Sequence, residues 1–131
     1  MACRIRVRIN IETTALVNSG FETDTPDIVV PLTIAEKLNL WPPKSSVSAV
    51  LNTGGEVITP YYENCGELEL VLEDREPKRI RVNIVVNPYV DEVALSDYVS
   101  SELGIVLLDI KRGLWRLTDD PVNKVRESAR T

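Results

Sequence analysis

A period of two runs through this chain and limits what it can become. In CRIRVRI, residues 3–9, the apolar Cys3, Ile5, Val7 and Ile9 alternate with Arg4, Arg6 and Arg8. Successive side chains of an extended strand point to opposite faces, so this spacing predicts a strand with one buried face and one solvated face. GELELVLE (66–73) and RIRVNIVVN (79–87) alternate in the same way, and the charged turn DREPK joins them. Shorter strands are predicted at TTALVN (13–18), DIVVP (27–31), GIVLLD (104–109) and LWRL (114–117). SVSAVLN (46–52) and EVITPYY (56–62) flank Thr53-Gly54-Gly55, the pattern of a hairpin.

Two short helices interrupt the strands. Thr33 with Glu36 three residues on reads as a capping box opening TIAEKLNL. SDYVSSEL (96–103) has Ser96 or Asp97 as its cap and Gly104 as its stop. Both helices follow a short apolar strand, and both end with Asn or Gly after a Leu, where a left-handed residue belongs. This predicts a weak internal duplication of two strand-helix halves about 65 residues apart. Eight or nine strands and two helices make a small, mostly-β, barrel-like domain over residues 1–118. DDPVNKVRESART, residues 119–131, reads as a frayed helix or a disordered tail.

Composition removes several chemistries. The 131 residues include no histidine, which excludes Ser-His and Cys-His nucleophile pairs and every zinc site that uses His. Cys3 and Cys65 match no metal spacing and read as reduced thiols or, alternatively, one disulfide. The net charge is -5, with 9 basic and 16 acidic residues over 1–108, which argues against a nucleic-acid partner. No apolar run approaches the ~18 residues of a membrane span, and no signal-peptide block opens the chain. The expected location is the cytoplasm. No cofactor is expected. Carboxylates, hydroxyls and backbone groups are what remain for chemistry.

Two hexapeptides stand out, ALVNSG (15–20) and AVLNTG (49–54), each three apolar residues, then Asn, a hydroxyl residue and Gly. Only 34 residues separate them, too few for two lobes. The second reads as a hairpin tip, since Asn and Gly tolerate the positive φ of a tight turn. The first ends a strand before an acidic loop and the VVPLTIAEKLNLW segment. With LNTGGEV at a flap's position and SDYVSSELGIVLLDIKRGLWR near the end, residues 3–118 resemble the retroviral-type aspartic proteases (retropepsins), and more closely their small prokaryotic relatives.

The resemblance implies a closed barrel of the retropepsin type, a homodimer, and an active-site triplet at Asn18, Ser19 and Gly20. It implies a flap at Asn52, Thr53, Gly54 and Gly55. Two residues depart from the family pattern: its catalytic Asp is Asn18 here, and Ser96 replaces the usual Gly in Ala94-Leu95-Ser96. In the family two carboxylates share one proton, one serving as base for water and the other as acid. Asn has a similar shape and no titratable proton, so the expected protein keeps the scaffold, lacks peptidase activity, and binds an extended peptide or a protein partner. An active peptidase whose native residue 18 is Asp, and an unrelated small barrel subunit, are the alternatives. Glu22, Asp24, Asp27 and Asp97 are acidic enough for a hard cation but match no known loop spacing, and read as solvated. Trp41 and Trp115 read as packing residues; Tyr61 and Tyr62 read as groove-lining or as ordinary strand residues.

Overall fold

The computed structural model describes residues 3–18, 20–42, 48–52 and 56–129, with the backbone alone described for 48–52 and 56–59. Six strands close a barrel: β1 (Arg4–Ile9), β2 (Ile11–Val17), β3 (Asp27–Val30), and, later in the chain, β5 (Glu56–Leu70), β6 (Lys78–Val86) and β7 (Val93–Leu95). Their order around the wall is β1-β2-β7-β3-β6-β5, and β5 returns to β1 through Val7 opposite Leu70 and Arg8 opposite Glu69. β4 (Ser48–Asn52) lies outside the barrel and pairs with the first part of β5. Helix α1 (Leu32–Lys37) follows β3, and α2 (Asp97–Glu102) follows β7. A separate three-stranded sheet, β10-β9-β8, is built from β8 (Ile105–Asp109), β9 (Leu114–Leu117) and β10 (Arg126–Glu127).

The alternation in CRIRVRI is realised as expected. Cys3, Ile5, Val7 and Ile9 lie in the core beside Leu68, Leu70, Val82 and Ile84, while Arg6 and Arg8 face out. The outward charges complement each other across the closing seam. Glu69 of β5 accepts from Arg8 of β1 at 3.0 Å and from Arg79 of β6 at 3.1 Å, and these are its register neighbours. One pattern thus places both the apolar interior and the cross-strand ion pairs.

The predicted duplication has a counterpart in the strand pairing. Exchange β1 with β5, β2 with β6, β3 with β7 and α1 with α2, and the pairing scheme maps onto itself. Antiparallel β1–β2 becomes β5–β6, parallel β2–β7 becomes β6–β3, and the antiparallel pairs β3–β7 and β1–β5 map onto themselves. The helix ends match as well. Asn39 after α1 has φ 60°, and Gly104 after α2 has φ 80°. A Cβ on Gly104 would also meet Thr118 Oγ1 at 3.0 Å, so both backbone and space call for glycine there.

Several sequence expectations are corrected. EVITPYY and GELEL, the first part of GELELVLE, form one strand, β5, which ends at Leu70 and is interrupted by an irregularity between Tyr62 and Gly66, where Asn64 has φ 45°. Thr33 does not cap α1: the helix begins at Leu32, extended Pro31 occupies the cap position, and no side chain bonds there. For α2 the cap is Ser96, whose Oγ accepts from the Val99 amide at 3.3 Å. Residues 119–129 are neither a helix nor a frayed tail. Arg126 pairs with Trp115 and Glu127 with Leu114, while the Ala129 amide donates to the Arg4 carbonyl at 2.7 Å. Both thiols are free, Cys3 buried and Cys65 exposed; burial pushes the Cys3 thiol up to about 11.

A charge network clamps this last segment. Arg126 reaches Asp120 at 2.8 Å and Asp74 at 2.9 Å and lies 5.6 Å from the Trp115 ring centroid. Arg75 meets Asp119 at 2.7 Å and Asp120 at 3.3 Å. The hydrogen bond from Arg126 holds the Asp74 carboxyl down to about 2, that from Arg75 holds Asp119 at about 2, and Asp120 lies lower still, mainly through Arg126. These values lie below the ~4 of an unfolded Asp, so the stabilisation is complete above pH ~4 and is lost as pH falls towards 2. Arg126→Ala leaves nearly buried Asp120 with the Leu117 amide and Arg75, its one remaining cation among the described residues. It is expected to cost about 3 kcal/mol at pH 7, the low end for a broken buried pair. Urea unfolding at pH 7 and pH 2.5 checks this: the variant loses less stability between the two than wild type.

Candidate functional site

Asn18 follows β2, whose last residue, Val17, lies beside Leu95 of β7, while Leu95 lies beside Ile28 of β3 on its other edge. The chain turns as soon as it passes this row. The Asn18 carbonyl accepts from the Phe21 amide at 3.1 Å, and Asn18 Oδ1 accepts from the Gly20 amide at 3.0 Å. A short polar side chain that bonds the backbone two residues on is an Asx turn, and either Asn or Asp makes it. Asn18 itself is exposed. Of the sequence-derived site residues, Asn18 and Gly20 are thus brought together in one turn. Ser19 lies outside the described residues.

The internal two-fold supplies a counterpart that sequence reading missed. After β6, Asn87 Oδ1 accepts from the Tyr89 amide at 2.9 Å, and the Asn87 carbonyl accepts from the Val90 amide at 3.4 Å. The turn at ALVNSGF therefore has its partner in IVVNPYV (84–90), not in AVLNTG. The described part of the latter, Ala49–Asn52, is strand β4, and Asn52 stands opposite Glu56 of β5. Of the flap positions Asn52 is the last residue of β4, and Thr53, Gly54 and Gly55 lie outside the described residues.

The acidic residues after the turn do not converge. Glu22 and Asp24 are exposed and Asp27 is buried at 8%. Asp97 joins the loop to α2: its Oδ1 accepts from the Thr23 amide at 3.0 Å and the Tyr98 amide at 2.8 Å, while its own amide donates to the Phe21 carbonyl. Among the described residues no group of three or more His, Cys, Asp or Glu is placed to hold a metal ion.

Asp27 belongs to a second polar cluster. Its Oδ1 accepts from Tyr61 Oη at 2.9 Å and from Asn83 Nδ2 at 2.9 Å, and Asn83 Oδ1 accepts from the Asn64 amide at 2.7 Å. Burial, with the Asp27 hydrogen bond next, pushes the Tyr61 phenol up. The cluster ties β3 and β6 to the irregular part of β5, just past the β4–β5 arm. The signal in the sequence was an Asp inside the apolar DIVV run, which the acidic loop before it obscured. Tyr62 Oη donates to the Leu40 carbonyl at 2.8 Å, and Trp41 and Trp115 pack with the core. Both tyrosine hydroxyls thus serve the fold.

A cavity of about 230 Å³ opens beside the turn, with Val17, Asn18, Asp97 and Ser100 in its wall. A larger depression of about 500 Å³, at Arg6, Thr13 and Glu92, shares no residue with it. No protein-family model matches the chain, and no curated protein matches it. Among the described residues no helix is long and apolar enough to cross a membrane.

Tyr61→Phe deletes one hydrogen bond to a buried carboxylate and leaves the ring in place. It is expected to lower stability by about 1–2 kcal/mol, measured by urea unfolding, with the chemical shifts of Asn64 and Asn83 displaced and those of Asn18 and Gly20 unchanged.

Proposed function

We propose that this chain is a retropepsin-like domain that assembles as a homodimer, lacks peptidase activity, and binds an extended peptide or protein segment. The observation that carries this reading is the Asn18 turn. It stands at the end of an apolar strand, its side-chain oxygen is already engaged by the Gly20 amide, and its other terminus is an amide group. The closed six-stranded barrel, the β4–β5 arm and the capped helix after Ala94-Leu95-Ser96 also support it.

The chemistry follows from proton accounting. Hydrolysis by paired carboxylates needs one ionised oxygen to take a proton from water and one protonated oxygen to donate to the peptide carbonyl. An amide does neither. In a dimer with Asn18 on both sides, acid and base vanish together, each role being worth roughly 10²–10⁴ in rate. Two facing amides can still hydrogen-bond each other. An extended ligand would add as a strand beside the β4–β5 arm, gaining backbone hydrogen bonds with little demand on its side chains.

Wild-type protein is therefore expected to leave a peptide library uncut at pH 3–6. Asn18→Asp keeps the turn, because a carboxylate oxygen also accepts from Gly20, and it is expected to produce acid-optimal cleavage. Mass spectrometry of the digests decides. Cleavage by protein whose intact mass shows Asn at position 18 overturns the inactive reading.

A further inference from the structure

The cavity beside the Asn18 turn is lined by polar side chains that the fold uses only in part. Val17, Ile105 and Leu107 give it apolar walls, and Asn18, Asp97 and Ser100 reach it from the turn and from α2. At about 230 Å³ it lies below the roughly 300–1,000 Å³ of sites that enclose drug-sized ligands. Its size suits one side chain.

Two oxygens there lack a protein partner among the described residues, one on part-exposed Asp97 and one on buried Ser100. Asp97 is the one charged side chain that the described residues bring to the wall. Its Oδ1 accepts from two amides, while its Oδ2 takes no hydrogen bond or ion pair among the described residues. Ser100 is 8% exposed, and its hydroxyl, shielded from water, has no partner among the described residues. A helical serine commonly adds a hydroxyl bond to the carbonyl one turn back; the Ser100 hydroxyl makes none. A buried hydroxyl left in this state costs free energy until something meets it. Lys78, which borders Gly104 together with Thr118, is already held by Asp119 at 3.4 Å.

We infer that this cavity is a subsite for an aliphatic ammonium, the side chain of a lysine presented by an extended peptide. The methylene stem packs on Val17, Ile105 and Leu107, and the ammonium meets the Asp97 carboxylate in the wall. An anion there would meet the Asp97 carboxylate, and a purely aliphatic group would leave that carboxylate without a cation. The inference takes the source of the lysine from the peptide-binding reading above; the preference for a cation comes from the cavity itself.

The test is an amide NMR titration of the full chain with Nα-acetyl-lysine N-methylamide, against the norleucine compound of the same backbone. Lysine is expected to give saturable shifts at Asn18, Asp97, Ser100 and Ser101 and to bind about fivefold tighter than norleucine, the size of a half-exposed ion pair. Asp97→Asn keeps an acceptor for the Thr23 and Tyr98 amides and removes the charge, so it should erase that preference while the spectrum stays folded. Equal affinity for the two compounds, or no saturable shift at these amides, overturns the inference. So does a dimer by sedimentation in which the same amides ignore the ligand, because a second copy then fills the cavity. Peptide cleavage by wild-type protein would end the inactive reading and leave the lysine preference standing; loss of the preference without cleavage would end the inference alone.

Discussion

Strand β7 is three residues long, yet it joins the two halves of the barrel. Val93, Ala94 and Leu95 pair in parallel with β2 on one edge, and Ala94 and Leu95 pair antiparallel with β3 on the other. Val93 and Leu95 are wholly buried, so the strand is held by packing as well as by its ladders. With Val17, Leu95 and Ile28 side by side, β2 and β7 leave the barrel at one place, next to Asp27 at the start of β3. There β2 turns at Asn18, β7 becomes the cap of α2 at Ser96, and the Asp27 carbonyl accepts from the Ser96 amide. The candidate site is a consequence of that row.

The internal two-fold explains why such a short strand suffices. Parallel pairing is normally reached through a long crossover, and here each half supplies one strand to the other, β2 to β7 and β3 to β6. Each half carries an Asx turn where a strand leaves the wall, Asn18 in one and Asn87 in the other. The halves have diverged in what surrounds these turns. Asn18 is followed by Ser19-Gly20 and a loop that Asp97 fastens to α2, whereas Asn87 is followed by Pro88 and an exposed Tyr89.

How legible all this was depended on segment length. CRIRVRI and RIRVNIVVN carry enough repeats of two to locate β1 and β6 and to say which face is buried. β7, with three residues, and β10, with two, fall below any period; tertiary pairing defines them. Composition misled where geometry differed from pattern. Thr33 and Glu36 have capping-box spacing, but Pro31 takes the cap two residues earlier and leaves Thr33 inside the helix. The hairpin reading of AVLNTG agrees with the pairing of Ala49–Asn52 on β5, whereas the counterpart of ALVNSG in the strand pairing, IVVNPYV, lacks the hydroxyl and the glycine that would have marked it. Asp27 was grouped with its acidic neighbours, although its register partner Asn83 and Tyr61 take it into the interior. Asn18 itself was legible, because a strand end before a polar turn is a local feature.

The proposed assembly requires Asn18 of one chain to face Asn18 of another. The direct measurement is disulfide formation by an Asn18→Cys variant carrying Cys65→Ser, read on a non-reducing gel and by intact mass after mild oxidation. A covalent dimer is expected at micromolar protein, since Cα atoms within about 7 Å can be bridged. A chain that stays monomeric, with the introduced thiol oxidised only to small-molecule adducts, would contradict the facing arrangement.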